Sequence, residues 1–288
     1  MRVEARAKIN WTLDITGQRP DGYHLMDMLM QPVTLCDTVV LRPSDTLTLT
    51  TSGNPSIPAN AHNLAYRAAA ALQEAADYPG GASIHVEKRI PAGAGMGGGS
   101  ADAAAVLAGL NRLWKLGLSQ EALERIGLTL GADVPFCLRG GLTRTTGIGE
   151  TMEPLPCARR YDLVVIQPCE GLSTGAVFRA YHEQAQVAHP DNDAARQALA
   201  AGDIDALPRS LGNVLQPVSE AMRPAIREAV EALRENSAVA ALMTGSGSAV
   251  FGVFEEPEAA DRARAALRHQ WPGTWRCQTC SESLIITE

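Results

Sequence analysis

The segment Pro91-Ala92-Gly93-Ala94-Gly95-Met96-Gly97-Gly98-Gly99-Ser100-Ala101 holds five glycines in eleven residues. Glycine tolerates positive φ and close backbone approach, so successive N–H groups can converge there on one anion. A helix beginning at the end of the segment adds its positive dipole terminus. This is chemistry suited to phosphate; the plainer alternative is a glycine-rich surface turn. Two familiar phosphate loops are excluded. A Walker loop needs a lysine where this segment has Gly97, Gly98 or Gly99. The dinucleotide pattern is met formally by Gly93-Ala94-Gly95-Met96-Gly97-Gly98, but no acidic residue ends a strand about 20 residues later. The chain reads Leu113-Trp114-Lys115-Leu116-Gly117-Leu118 there. Ser100, at the helix start, offers a hydroxyl to a phosphate or to Mg2+.

Other polar residues could carry out a transfer. An aspartate beside an acceptor hydroxyl can orient it and take its proton, while a nearby ammonium offsets charge on a phosphoryl group in flight. Asp133 and Lys8 are the candidates. From local sequence, Asp133 reads equally well as a helix cap before Val134-Pro135, and Lys8 alone as a solvated strand lysine. Tyr23 and His24 follow a Pro-Asp-Gly turn and offer an aromatic plane and two ring nitrogens, a combination that holds an unpaired base. Phe178 alone reads as core. Thr244-Gly245-Ser246-Gly247-Ser248 alone is a hairpin loop.

The elements that must position these residues can be read from periodicity. Residues 3–15 alternate as a strand, with Ala7, Ile9, Trp11 and Leu13 on one face and Lys8, Asn10 and Thr12 on the other. A turn at 16–22 follows, then short strands at 33–41 and 46–51. A helix at 63–76 is ended by Pro79-Gly80-Gly81. A strand at 82–88 enters the glycine segment, and helices at 101–114 and 119–130 come after it, the second from a Ser119 N-cap. Two prolines near 154–156 mark a domain boundary, giving domains 1–153 and 154–288. The second half reads as strand 162–167, helices between about 174 and 236, strands 239–243 and 249–254, helix 256–271 and strand 274–279. That β-α-β-β-α-β order is ferredoxin-like. The expected fold class is therefore α/β (α+β) in two domains.

Bulk properties narrow the classes. A length of 288 residues favours two domains over one large one. Hydrophobic residues at 45% and charged ones at 20% describe a globular chain with a substantial core. A net charge of −7 with 25 scattered Lys and Arg argues against nucleic acid. The N-terminus has no apolar signal core and no run of 18 apolar residues occurs, so a cytoplasmic protein without membrane contact is expected, a monomer or weak homodimer. The six cysteines are sparse and read as reduced thiols. Cys277 and Cys280 have metal or redox spacing but no second pair.

The glycine segment resembles the phosphate loop of the GHMP kinases. Ala5–Leu13 and Met243–Ala249 resemble that family's other two motifs. Four stretches, 7–10, 19–24, 97–104 and 131–136, are similar to members that act on a cytidine-diphosphate alcohol. The resemblance implies transfer of the ATP γ-phosphate to a hydroxyl of such a substrate, with Lys8 and Asp133 catalytic and Mg2+ accompanying ATP. It implies that residues 91–101, Asn63 and Lys88 contact ATP. Asn10, Tyr23, His24, Met30, Thr174, Phe178, Gly245 and Ser246 would line the substrate site, with Tyr23, His24 and Phe178 around the cytosine. Met30 stands where some relatives carry phenylalanine. A family glutamate for the metal has no counterpart in the sequence, which leaves the ion to ATP, water and Ser100. A kinase for another small alcohol, and a nucleotide sensor without catalysis, are the competing readings.

Overall fold

A single long strand organises the first half of the chain. The computed structural model describes residues 1–182 and 187–288. β1 (Arg2–Gln18) runs antiparallel to β2 (His24–Ser44), and the two pair over nearly their whole length. The order continues with β3 (Thr48–Ser52), α1 (Leu64–Ala75), β4 (Gly81–Glu87), α2 (Gly98–Leu113), α3 (Gln120–Leu130), α4 (Val134–Arg139), β5 (Leu142–Gly147) and β6 (Thr151–Leu155). The second half contains β7 (Asp162–Ile166), α5 (Thr174–His182), α6 (Asn192–Ala201), α7 (Leu207–Ser210), β8 (Gly212–Asn213), α8 (Gln216–Met222), α9 (Ala225–Glu235), β9 (Ala240–Met243), β10 (Val250–Phe254), α10 (Pro257–Leu267), β11 (Thr274–Gln278) and β12 (Leu284–Thr287).

The first sheet has the order β12-β1-β2-β4-β3, with β5 and β6 extending from β2 and β8 joining β1. The second has the order β11-β7-β10-β9, all antiparallel. Taken in chain order those four strands read 4-1-3-2, the ferredoxin-like arrangement expected from the β-α-β-β-α-β pattern. The expected divide between residues 153 and 154 runs through β6. After it, β12 returns to pair with β1 at the far end of the chain.

Packing explains why the two sheets meet at β1. Trp11 is fully buried, with Tyr161 and Phe251 edge-on to it at 5.2 and 5.7 Å, and its indole N–H donates to Gln31 Oε1. Rings in such edge-to-face contact add to the gain from area burial. The joint therefore draws strands of both halves into one core. α2 is buried on nearly every side, which its run of alanines permits at close range to β1 and β2.

Two expectations about β1 and β2 need correction. β2 spans 21 residues rather than the nine of a strand at 33–41. Residues 26–31 read Met-Asp-Met-Leu-Met-Gln, without the β-branched residues that mark a strand, and pairing with β1 on one side and β5 on the other holds them extended. The simple two-face reading of β1 also fails. The pairing slips between Asn10 and Thr12, and one extra residue reverses the faces beyond it. Leu13 then faces the same cleft as Lys8 and Asn10, while Thr12 Oγ1 accepts from Leu29 N.

The glycine segment folds against the loop at 244–248. Lys8 N donates to Met96 O at 3.0 Å, and Ala249 N to Ala94 O at 3.1 Å. Gly95 has φ +78°, and a Cβ there would lie 2.2 Å from Thr244 O. Gly117 also has a positive φ, +67°, but faces open space. The left-handed conformation alone costs about 1–2 kcal/mol for an L-residue. Chemical unfolding is therefore expected to show Gly117→Ala losing about that much, and Gly95→Ala about 3 kcal/mol or more because the backbone clash adds to it. Equal losses would contradict this close approach.

Candidate active site

Three cavities meet along one groove. The first, about 510 Å³, is lined by Ile57, Pro58, His62, Asn63 and Leu64 on one wall and by Lys88 and residues 91–100 on the other. The second, about 290 Å³, is lined by Lys8, Asn10, Asp133, Gly245 and Ser246 with Met26, Met28, Leu215 and Phe178. The third, about 840 Å³, lies around Tyr23, His24, Phe178, Arg179 and His182. Gly95, Gly97, Ser100 and Thr174 are shared by the first two, and Met26, Ala132, Thr174 and Phe178 by the last two. Thr174 touches all three. A nucleotide, an acceptor and a base can thus lie end to end.

The middle cavity holds the charged pair. Lys8 is almost fully buried, and its Nζ lies 3.8 Å from Asp133 Oδ2 and donates to Asn10 Oδ1 at 2.6 Å. Asp133 occupies the N-cap position of α4, yet its side chain makes no capping bond. The capping alternative is thereby set aside: the carboxylate points toward the ammonium and remains 35% exposed to the cleft. Gly97 caps α2 with φ +69°, which lets the loop backbone pass beside the Lys8 stem.

Asn10 is placed differently from its expected role. It is fully buried, and its Oδ1 accepts from Lys8 Nζ, from Gly245 N at 3.1 Å and from Thr244 Oγ1 at 3.3 Å, while Nδ2 points at Met28 Sδ. Its backbone N donates to Thr244 Oγ1 at 3.0 Å. Every polar atom is committed within the protein, so Asn10 ties β1 to the 244–248 loop and is not a free substrate ligand. Asn63 is committed in the same way. Its Oδ1 caps α1 by accepting from Ala65 N, and its Nδ2 donates to Pro58 O at 2.8 Å. It shapes the rim of the first cavity with its side chain held by these two bonds. Met30 lies opposite Asn10 but is sealed from the cleft; Met26 and Met28, further along β2, reach it.

Tyr23, His24 and Phe178 all line the third cavity. His24 and Phe178 stack with centroids 4.5 Å apart and planes 29° from parallel. Tyr23 is 61% exposed at the entrance, held by a turn in which Arg19 N donates to Tyr23 O. Phe178 is therefore a cleft residue rather than a core one. Sequence reasoning missed His182, whose Nε2 lies 2.5 Å from that of His24 and whose ring stacks on it at 4.7 Å. Burial, and then the neighbouring His182, lower the His24 pKa. Thr174 Oγ1 and Ser246 Oγ lie 3.0 Å apart, joining α5 to the 244–248 loop.

Lys88 lines the first cavity, but its ammonium is held from behind. It donates to Asp37 Oδ2 at 2.5 Å and to Asp102 Oδ2 at 2.6 Å, with all three groups buried. Burial opposes the Lys88 charge, and Asp102 and Asp37 more than restore it, so its pKa is raised. Burial pushes Asp102 up to about 8 against the pull of Lys88. Nothing local marked Asp37 or Asp102, since an aspartate in a strand and another in an alanine-rich helix carry no motif. Cys277 and Cys280 are both buried as free thiols, and among the described residues no group of three or more His, Cys, Asp or Glu is arranged to hold a metal. Among those residues, no helix is long and apolar enough to cross a membrane.

Residues 63–141 match the GHMP kinases N terminal domain, and residues 195–273 the GHMP kinases C terminal domain. The 4-diphosphocytidyl-2-C-methyl-D-erythritol kinase of Symbiobacterium thermophilum is 43% identical over 280 residues, covering 97% of this chain and 99% of that protein. The enzyme of the same name from Desulfitobacterium hafniense is 41% identical, covering 98% and 96%. A crystal structure of 4-(cytidine 5'-diphospho)-2C-methyl-D-erythritol kinase superposes with a TM-score of 0.83 at 37% identity, covering 97% of this chain and 99% of that one. The homoserine kinase of Cytophaga hutchinsonii, 20% identical with a TM-score of 0.75 over 100% of this chain and 97% of its own, shares the fold. The glycine segment falls in the first matched region and the loop it packs against in the second, so the contact between them joins the two halves of one family site: this chain belongs to the GHMP kinase family.

Proposed function

We propose that the protein transfers the γ-phosphate of ATP to the 2-hydroxyl of 4-diphosphocytidyl-2-C-methyl-D-erythritol, a step of the non-mevalonate route to isoprenoid precursors. The observation that carries this reading is the order of the three cavities. The glycine-lined cavity opens into the Lys8–Asp133 cavity, which opens into the His24–Phe178 slot. A substrate with a base at one end and a hydroxyl at the other fits that order, and the curated relatives and the solved structure carry names for that substrate.

ATP, which the family uses as phosphoryl donor, lies in the first cavity. Residues 91–101 surround its phosphates with backbone N–H groups, and Ser100 adds a hydroxyl where the two cavities join. Mg2+ accompanies the nucleotide and neutralises phosphate charge when bound. Among the described residues the Ser100 hydroxyl stands at the site and no carboxylate cage does, a donor set that would fit an ion held mainly by phosphates and water. Asp133, free of capping duty, orients the acceptor hydroxyl and takes its proton. Lys8 stands 3.8 Å away to offset charge on the phosphoryl group. Phosphoryl transfer passes through a loose transition state, so placing these groups matters more than the strength of the base. His24 offers a ring nitrogen to a base edge, its pKa lowered by burial and then by His182, while Tyr23 and Phe178 provide stacking faces.

The test is ADP release with ATP and a panel of alcohols: the diphosphocytidyl methylerythritol, homoserine and mevalonate. Turnover with the cytidyl substrate alone is expected. Turnover with another alcohol and none with this one would remove the assignment, and ATP binding without any turnover would favour a sensor. Asp133→Asn should lower kcat by about 10²-fold or more with little change in either KM; near-normal kcat would refute its role. His24→Ala should raise KM for the cytidyl substrate by about tenfold or more while KM for ATP stays within about twofold. A parallel rise in both would place His24 outside the base slot.

A further inference from the structure

The phosphate loop needs a rigid root, and the structure shows where it comes from. Asp37 on β2 is wholly buried, and one of its carboxylate oxygens, Oδ1, accepts from Arg89 N at 2.5 Å and Ile90 N at 2.8 Å. Those are the two residues through which the chain leaves β4 and enters the glycine segment. Its other oxygen, Oδ2, accepts from Lys88 Nζ, which also donates to Asp102 in the first turns of α2. One ammonium thus links the strand before the loop, the helix after it and a strand of the sheet beneath. Asp102 Oδ1 is buried with no partner, while Asp102 Oδ2 accepts from Lys88 Nζ. The geometry points to Asp37 as a positioning residue for nucleotide binding. It acts through Lys88, fixing where that ammonium and the first residues of the phosphate loop stand in the cavity wall.

This inference rests on the reading of the first cavity as the nucleotide site. Its logic separates position from charge. Removing a negative charge beside a cavity for an anionic ligand should, by Coulomb attraction alone, tighten binding. Losing a positioning residue should weaken it. Asp37→Asn keeps an oxygen for Arg89 N and Ile90 N but replaces the partner of the ammonium with an amide, so it cuts only the link to Lys88.

The experiment is calorimetric titration of the full-length protein with ADP, which needs no acceptor and no turnover. Wild type, Asp37→Asn, Lys88→Met and the double variant are compared, with circular dichroism reporting the fold. Asp37→Asn is expected to raise the Kd for ADP about tenfold or more, and to add less than about twofold once Lys88 is already methionine. A Kd unchanged or lowered in Asp37→Asn, or independent multiplication of the two effects, would overturn the proposal. Should Asp37→Asn fail to fold, Asp102→Asn serves in its place, with a rise of about threefold or more that again vanishes in the Lys88→Met background; no rise would overturn it. Wild type that does not bind ADP would sink the nucleotide reading itself, and this inference with it.

Discussion

Everything in the cleft depends on how Asn10 is spent. A buried ammonium without a hydrogen-bond acceptor is costly, and Lys8 is nearly sealed from water. Asn10 Oδ1 provides that acceptor at 2.6 Å and at the same time takes Gly245 N and Thr244 Oγ1. One amide oxygen therefore sets the height of the Lys8 ammonium relative to the loop opposite. Because Lys8 N donates to Met96 O, the same stretch of β1 also holds the glycine segment. Three stretches remote in sequence are thereby registered against each other before any ligand arrives, the preorganisation that phosphoryl transfer requires.

The architecture follows from placing that junction between two sheets. Trp11, one residue beyond Asn10, anchors the opposite side of β1 into a core shared with Tyr161 and Phe251. Polar residues of β1 face the cleft because the indole and its neighbours hold the other face in apolar surroundings. The β-bulge after Asn10 then brings Leu13 to the cleft wall, which lets one strand serve the phosphate end and the acceptor end. β12, returning from the end of the chain, closes the outer edge of the same strand.

Much of this was legible in the sequence, and the reasons for the remainder are physical. A glycine-rich loop between a strand and a helix announces itself because few residues adopt such backbone, and the ferredoxin-like half because its periods change cleanly from two to 3.6. The capping question at Asp133 turned on a hydrogen bond that no local pattern encodes. The bonds that hold Asn10 and Asn63 in the fold stay hidden for a related reason. An asparagine that could contact a ligand is indistinguishable, in sequence, from one whose side-chain oxygen and nitrogen are both bonded within the fold. Asp37 and Asp102 stayed hidden because their partner Lys88 lies 51 and 14 residues away. The face reversal in β1 required knowing where its pairing slips.

The central claim is that one cleft aligns nucleotide, acceptor hydroxyl and cytosine in that order. A crystal structure with a non-hydrolysable ATP analogue and 4-diphosphocytidyl-2-C-methyl-D-erythritol tests it most directly. The account requires the 2-hydroxyl within about 3 Å of an Asp133 oxygen and facing the γ-phosphate, with the cytosine against His24 and between the Tyr23 and Phe178 rings. Cytosine bound outside that slot, or a γ-phosphate remote from Lys8 and Asp133, would contradict it.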